Sequence, residues 1–221
     1  METELLRQRL DHPGEGQDWL ASLRLSNPQT GYTNLLRMAE AGVPLDLLGA
    51  ICDQFRAVAP TLADPDMAWN NLEGFLCSAR NPLSTAALFE RDPEALPNLL
   101  QLLSGSQYLS DLLVHDQESY DLLRMTEGHP VARETLVEEL IAEINQLANT
   151  DEAMAALRRH KRREILRIAY GDLVRGQAVA TVARQLSFLA DAIVEAAVAF
   201  QRVKLEQKYG TPRAPSGQPA R

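Results

Sequence analysis

Leucine and alanine recur along this chain at intervals of three and four, whereas alternating β-branched runs bounded by turn residues, the signature of strands, are nearly absent. The pattern predicts an all-α fold. Up to about residue 65 it is interrupted by Pro13, Pro28, Pro44, Pro60 and Pro65. Because proline restricts the residue before it, short helices joined by tight loops are expected there. Asp92 and Pro93 read as the N-cap and first residue of a helix that runs through Leu96, Leu99, Leu100 and Leu103 until Gly105 stops it. Ser106 is placed to cap the next helix, with Leu109, Leu112 and Leu113, and Asp116 a third, with Leu122 and Leu123.

After Gly128-His129-Pro130 the periodic segments lengthen. Leu136, Val137, Leu140, Ile141, Ile144 and Leu147 form one core-facing stripe. A second helix from Thr150-Asp151 is expected to turn Leu157, Ile165, Ile168, Ala169 and Leu173 inward, with Arg159, Arg163 and Arg167 stacked on another face. Beyond Gly176, the positions Val182, Leu186, Leu189, Ile193, Ala196, Phe200 and Val203 alternate in steps of four and three, a heptad seam on one long C-terminal helix. The small Ala196 in that seam favours packing on the preceding, antiparallel helices over a coiled-coil dimer. Three regions follow: short helices over 1–128, a long-helix bundle over 129–209, and a Pro/Gly/Ser-rich stretch over 210–221 that reads as a flexible tail or linker.

Composition narrows the function. The chain has 221 residues with 30 acidic and 22 basic side chains, a formal charge of −8, so a non-specific nucleic-acid binder is disfavoured and only a local basic patch stays open. No stretch approaches the roughly 18 apolar residues of a membrane span, and Met1 is followed by Glu2 and Glu4 instead of a basic, then apolar, leader. A cytoplasmic protein with no membrane partner is expected. Cys52 and Cys77 lack any CxxC neighbour and read as small core hydrophobes. His12, His115, His129 and His160 are scattered as surface or loop residues, without the spacing of a helical metal site.

Candidate chemistry is sparse. Ser104 and Ser106 near His115 lack the GxSxG turn of an acyl-transfer nucleophile, and no GxxxxGK[ST] or GxGxxG cradle occurs. Gly105-Ser106 followed by Asp116-Gln117-Glu118 imitates the Gly-Ser turn and paired carboxylates with which nucleotidyltransferase folds hold Mg²⁺ on a strand. Leucines at helical spacing flank the pair here, and on a helix positions i and i+2 point about 200° apart, so helix capping explains these residues and no catalytic or metal ligand is assigned. Asp64-Pro65-Asp66 reads as a turn. Arg159, Arg163 and Arg167, with Lys161 and Arg162 beside them, could contact a phosphate or an acidic partner surface. The alternative is a solvated face carrying local pairs such as Glu164 with Arg167.

Three blocks occur in a distinctive order: Ser78-Ala79-Arg80-Asn81-Pro82 leading to Asp92-Pro93-Glu94, then Gly105 through Leu113, then Lys161 through Ala169 with Asp172-Leu173. With Leu186 through Ala192 and Tyr209-Gly210-Thr211-Pro212, they resemble the N-terminal helical region of the bifunctional glutamine synthetase adenylyltransferase and adenylyl-removing enzymes. The likeness spans about residues 75 to 212. It implies a nucleotidyltransferase using ATP and Mg²⁺, attaching AMP to a tyrosine of glutamine synthetase and removing it by phosphorolysis. Partners would be glutamine synthetase, PII signal proteins and a nucleotidyltransferase domain, in nitrogen regulation. The family's first catalytic domain begins just beyond the position of Tyr209-Gly210-Thr211-Pro212, with a glycine-rich turn and a Ser-Asp-Ile-Asp strand. Neither occurs before Arg221, so no catalytic carboxylate carries over and a truncated or split, non-catalytic helical segment is expected. A free-standing helical interaction module is the alternative.

Overall fold

A computed structural model describes residues 2–147, 149–211 and 213. Among them are twelve α-helices and no β-strand, an all-α architecture. The chain divides into two compact units, Met1–Glu127 with Leu173–Gly176, and Gly128–Asp172 with Gln177–Arg221.

The first unit is built from α1 (Thr3–Asp11), α2 (Pro13–Ser22), α3 (Pro28–Glu40), α4 (Leu45–Val58), α5 (Pro65–Cys77), α6 (Pro82–Arg91), α7 (Ala95–Gly105), α8 (Gln107–His115) and α9 (Glu118–Thr126). Proline starts these helices as much as it breaks them: Pro13, Pro28, Pro65 and Pro82 each occupy a first-turn position, where the missing N–H has no helical partner to lose. Asn27, Asp64, Asn81 and Ser106 cap the helices that follow them through side-chain oxygens. Asp92 differs from expectation. It ends α6, and its carboxylate and carbonyl accept from Glu94 and Ala95 in a turn, so α7 opens at Ala95. Asp64-Pro65-Asp66 is the opening of a helix, and Asp66 accepts the amides of Ser26 at 2.8 Å and Asn27 at 2.9 Å, tying the start of α3 to α5.

α5 lies at the centre of this unit, against α3, α7 and α8. Trp69 is fully buried, edge-on to Phe55 at 4.8 Å, and donates its indole N–H to the Gly31 carbonyl at 3.0 Å. Cys52 is buried, as expected of a small core hydrophobe. Cys77 is not: it ends α5 and is exposed, because the last helical turn has left the core.

The second unit holds α10 (Arg133–Ile144), α11 (Thr150–Leu173) and α12 (Val179–Tyr209). α10 and α12 run side by side in the same direction, since Val131 meets Gln185, Arg133 pairs with Asp191 and Glu195, and Thr150 meets Lys204. α11 returns between their ends. One core joins the three helices: Leu136, Val137, Leu140 and Ile144 from α10, Ala153, Ala156 and Leu157 from α11, and Ala192, Ala196 and Phe200 from α12.

Two expected registers shift. On α12 the buried line is Gln185, Leu189, Ala192, Ala196 and Phe200, while Leu186 and Val203 of the expected seam are about half exposed. The helix is rotated so that small Ala192 meets α10 and Gln185 turns inward. On α11, Leu157 and Ile168 are buried, but Ile165 and Ala169 are half-buried and Leu173 is 43% exposed, whereas Leu166 and Tyr170 are inside. Of the expected tail from 210, Gly210, Thr211 and Arg213 fall within the described residues and the rest lies outside them.

Candidate functional site

The three arginines read as one stripe do not share a face. Steps of four along a helix drift by about 40° each, so Arg167 lies about 80° around from Arg159. The rotation carries it inside. Arg167 is 5% exposed, and its Nε donates to Glu164 at 2.7 Å, with Glu164 also buried. The Glu164–Arg167 pair expected on a solvated surface is thus a core ion pair, and Arg167 is removed from any outward contact surface.

Both terminal nitrogens of Arg167 also donate. One terminal nitrogen donates to the His129 carbonyl at 2.6 Å and the other to Gln185 Oε1 at 2.8 Å. Gln185 grips the backbone of Val131 twice, accepting its N–H at 2.9 Å and donating to its C=O at 2.9 Å. Gln177 donates to the Gly128 carbonyl at 2.8 Å. Gly128 has φ +68°, and a Cβ there would lie 2.5 Å from the amide nitrogen of Gly171. The segment 128–131 is therefore fastened to α11 and α12 by polar groups whose donors and acceptors are matched, which offsets the cost of burying them. This cluster has the chemistry of a structural clasp.

His160, expected at the surface, is 3% exposed. The Arg163 guanidinium approaches its Nδ1 at 3.3 Å, and since a guanidinium only donates, Nδ1 is the acceptor and Nε2 carries the proton. Nε2 has no partner among the described residues. Burial holds the imidazole pKa below its ordinary value, against the opposing pull of Glu164.

Outside this core, α11 presents Arg158, Arg159, Lys161, Arg162 and Arg163 to solvent. Arg159 reaches Glu143 at 3.4 Å, and Arg163 lies 3.9 Å from Glu164. Arg158, Lys161 and Arg162 form no ion pair among the described residues. Four like-charge pairs at three- or four-residue spacing arise within this run, each unfavourable by roughly a few tenths of a kcal/mol. α12 turns Val194, Val198, Leu205 and Tyr209 outward, all more than half exposed, the last three along a shallow apolar groove.

The first unit has a cleft of about 520 Å³ between α6 and the α8–α9 junction. Phe75, Leu88, Val114 and Tyr120 line it together with Arg80, Arg91, Asp116, Glu118 and Asp121. The Asp116-Gln117-Glu118 triplet sits at this rim. Asp116 accepts the Ser119 hydroxyl at 2.8 Å, Gln117 donates to Ser78 Oγ at 2.8 Å and to the Phe75 carbonyl, and Glu118 lies 3.5 Å from Arg80. Asp116 does not cap α9 as expected: it ends α8, the cap position of α9 is Gln117 without a side-chain cap, and the Asp116 carboxylate is taken by the Ser119 hydroxyl instead of a helix amide. Ser104 is buried and donates to Gln101, and Ser106 caps α8, so neither is presented as a nucleophile. Among the described residues no group of three His, Cys, Asp or Glu side chains is arranged to hold a metal ion. No helix among them is long and apolar enough to cross a membrane.

Comparison with known families decides what this scaffold is part of. The family model described as glutamate-ammonia ligase adenylyltransferase matches residues 96–221, more than half of the chain. The chain belongs to this family. Among the relatives, the bifunctional glutamine synthetase adenylyltransferase/adenylyl-removing enzyme of Pseudomonas aeruginosa is 33% identical over 154 residues, covering 66% of this chain and 16% of the relative. The enzyme of the same name from Xanthomonas oryzae pv. oryzae is 25% identical over 199 residues, covering 86% of this chain and 21% of the relative. That from Vibrio parahaemolyticus is 30% identical over 135 residues, covering 57% and 14%. The chain therefore spans about a fifth or less of the length of these relatives. The matched region contains α7 from its second residue, α8, α9 and the whole Arg167 clasp.

Proposed function

We propose that this chain is a helical, non-catalytic segment of a glutamine synthetase adenylyltransferase. It braces a nucleotidyltransferase domain that uses ATP and Mg²⁺ to attach AMP to a glutamine synthetase tyrosine and to remove it again. The work is cytoplasmic, belongs to nitrogen regulation, and brings the segment near glutamine synthetase and PII signal proteins. Family membership supports this reading, and the disposition of Asp116 and Glu118 carries it. These two residues have the sequence spacing of a metal-binding carboxylate pair, yet they flank a helix start, one occupied by Ser119 and the other beside Arg80. Asp116 ends α8 and Glu118 opens α9, so the pair does not lie on a strand, where positions two apart share a face.

The test is transfer of labelled AMP from ATP to purified glutamine synthetase by this chain, beside release of AMP from the adenylylated enzyme with added phosphate. A chain that is helical by circular dichroism and silent in both directions supports the assignment. Transfer or release that Asp116→Asn abolishes would overturn it and make this cleft a metal site.

A further inference from the structure

The outward half of α11 carries positive charge for which the fold has no use. At about 100° per residue, Lys161, Arg158, Arg162, Arg159 and Arg163 fan across an arc of about 200°. The opposite side is the buried line of Ala153, Ala156, Leu157, His160 and Glu164. The nearest acids do not neutralise the fan. Glu143 reaches Arg159 alone, and the Glu164 carboxylate is already held by Arg167 at 2.7 Å, leaving Arg163 at 3.9 Å. The run lies in the middle of a 24-residue helix, away from the C-terminal dipole that would favour cations. Like charges stacked at three- and four-residue spacing weaken a helix, and here they do so in a chain whose formal charge is −8.

We propose that this face of α11 docks an acidic surface of a partner protein. Four of its five cations are arginines, whose planar fork pairs both oxygens of a carboxylate. The face is a single convex helix, and its neighbours, the exposed Met154 and the half-buried Ala155, offer no aromatic ring for stacking a base, which favours a protein over a single-stranded nucleic acid. Charges more than a Debye length of about 8 Å away are largely screened, so a carboxylate patch seated on α11 meets the local cations and little of the chain's overall negative charge. Exposed charges of this kind act chiefly on association and are weakened by salt.

The probe is a fluorescein-labelled oligo-glutamate of about 15 residues, its binding to the full chain followed by anisotropy at about 50 and 200 mM NaCl. The double reversal R158E/R162E is compared with R56E/R184E, which changes the net charge equally at exposed arginines elsewhere. Wild type and R56E/R184E should bind alike and lose affinity severalfold at the higher salt, with R158E/R162E weaker by about tenfold or more. All three should keep the same helical circular dichroism, and R158Q/R162Q is read instead if the reversal disturbs folding. Equal weakening of both doubles, or no binding by wild type, would overturn the proposal. So would tighter binding of a DNA duplex of similar length, which would assign the face to nucleic acid.

Discussion

Replacing Arg167 with alanine removes a guanidinium that is 5% exposed and strands Glu164, itself 6% exposed, inside the second unit. Three hydrogen bonds disappear together, to Glu164 at 2.7 Å, to the His129 carbonyl at 2.6 Å and to Gln185 at 2.8 Å. Removing one member of a buried ion pair typically costs about 3–5 kcal/mol, most of it from the charge left behind. Arg163, 3.9 Å from Glu164, is close enough to swing in and shield part of that charge, which places the expected loss near the lower end, about 3 kcal/mol. Urea unfolding followed by circular dichroism measures it. Trp19 and Trp69 both lie in the first unit, so their fluorescence provides a separate report, and a dichroism transition displaced from the tryptophan signal locates the loss in the second unit. The double variant E164L/R167M removes both charges and should recover most of the loss, to within about 1–2 kcal/mol of wild type. A single-variant loss under about 1 kcal/mol, or a double variant no better than the single, would refute the claim that this pair is buried and mutually dependent.

Gly128→Ala should cost at least about 2 kcal/mol, because alanine resists the left-handed backbone there and its methyl meets the Gly171 backbone. Gly14→Ala, a helical position with open space around it, should instead raise stability by about 0.5–1 kcal/mol, and thermal melts of the two variants check the contrast. His160 titrates below its ordinary 6.5 when folded, so between those two values the unfolded chain binds the extra proton. Stability then rises with pH across that window and falls as pH drops below 6.5; H160L should flatten the melting-temperature profile, and parallel profiles for the two proteins would count against a buried neutral imidazole. Burial pushes the Cys52 thiol up to about 12, and at the exposed Cys77 partial desolvation by neighbouring groups, with Glu73 beside it, pushes the thiol up to about 11. At pH near 8 iodoacetamide should label the folded chain about a hundredfold more slowly than a free thiol, and rapid labelling of Cys77 without denaturant would contradict its assigned surroundings.

The helical class was legible because leucine and alanine spacing is a local signal, and so were the starts of many helices, where Pro28, Pro65 and Pro82 follow Asn27, Asp64 and Asn81. The clasp was not. Arg167 and Glu164 look like an ordinary surface pair three residues apart, and what buries them is His129, 38 residues upstream, and Gln185, 18 residues downstream. Periodicity sorts residues by polarity, so it assigns such side chains to the outside and then takes Leu186 for the seam in place of Gln185. His160 was misplaced for the same reason. At the α6–α9 cleft the sequence disclosed the unusual acidic spacing and its helical surroundings, but not that Arg80 would face Glu118, because that contact depends on how α6 and α9 pack.

α12 carries two apolar lines on nearly opposite sides, one through Leu189, Ala196 and Phe200 and one through Val194, Val198 and Leu205. Hydrophobic burial alone would be served about as well by either, so the choice between them amounts to a rotation of the helix by roughly half a turn. Gln185 breaks that near-degeneracy. Its amide fits the Val131 peptide group in both directions, and in the alternative rotation the peptide and the Arg167 guanidinium would each lose a partner while buried. A single amide at the head of a 31-residue helix thus acts as its rotational key, and it leaves the line through Val194, Val198 and Leu205 exposed.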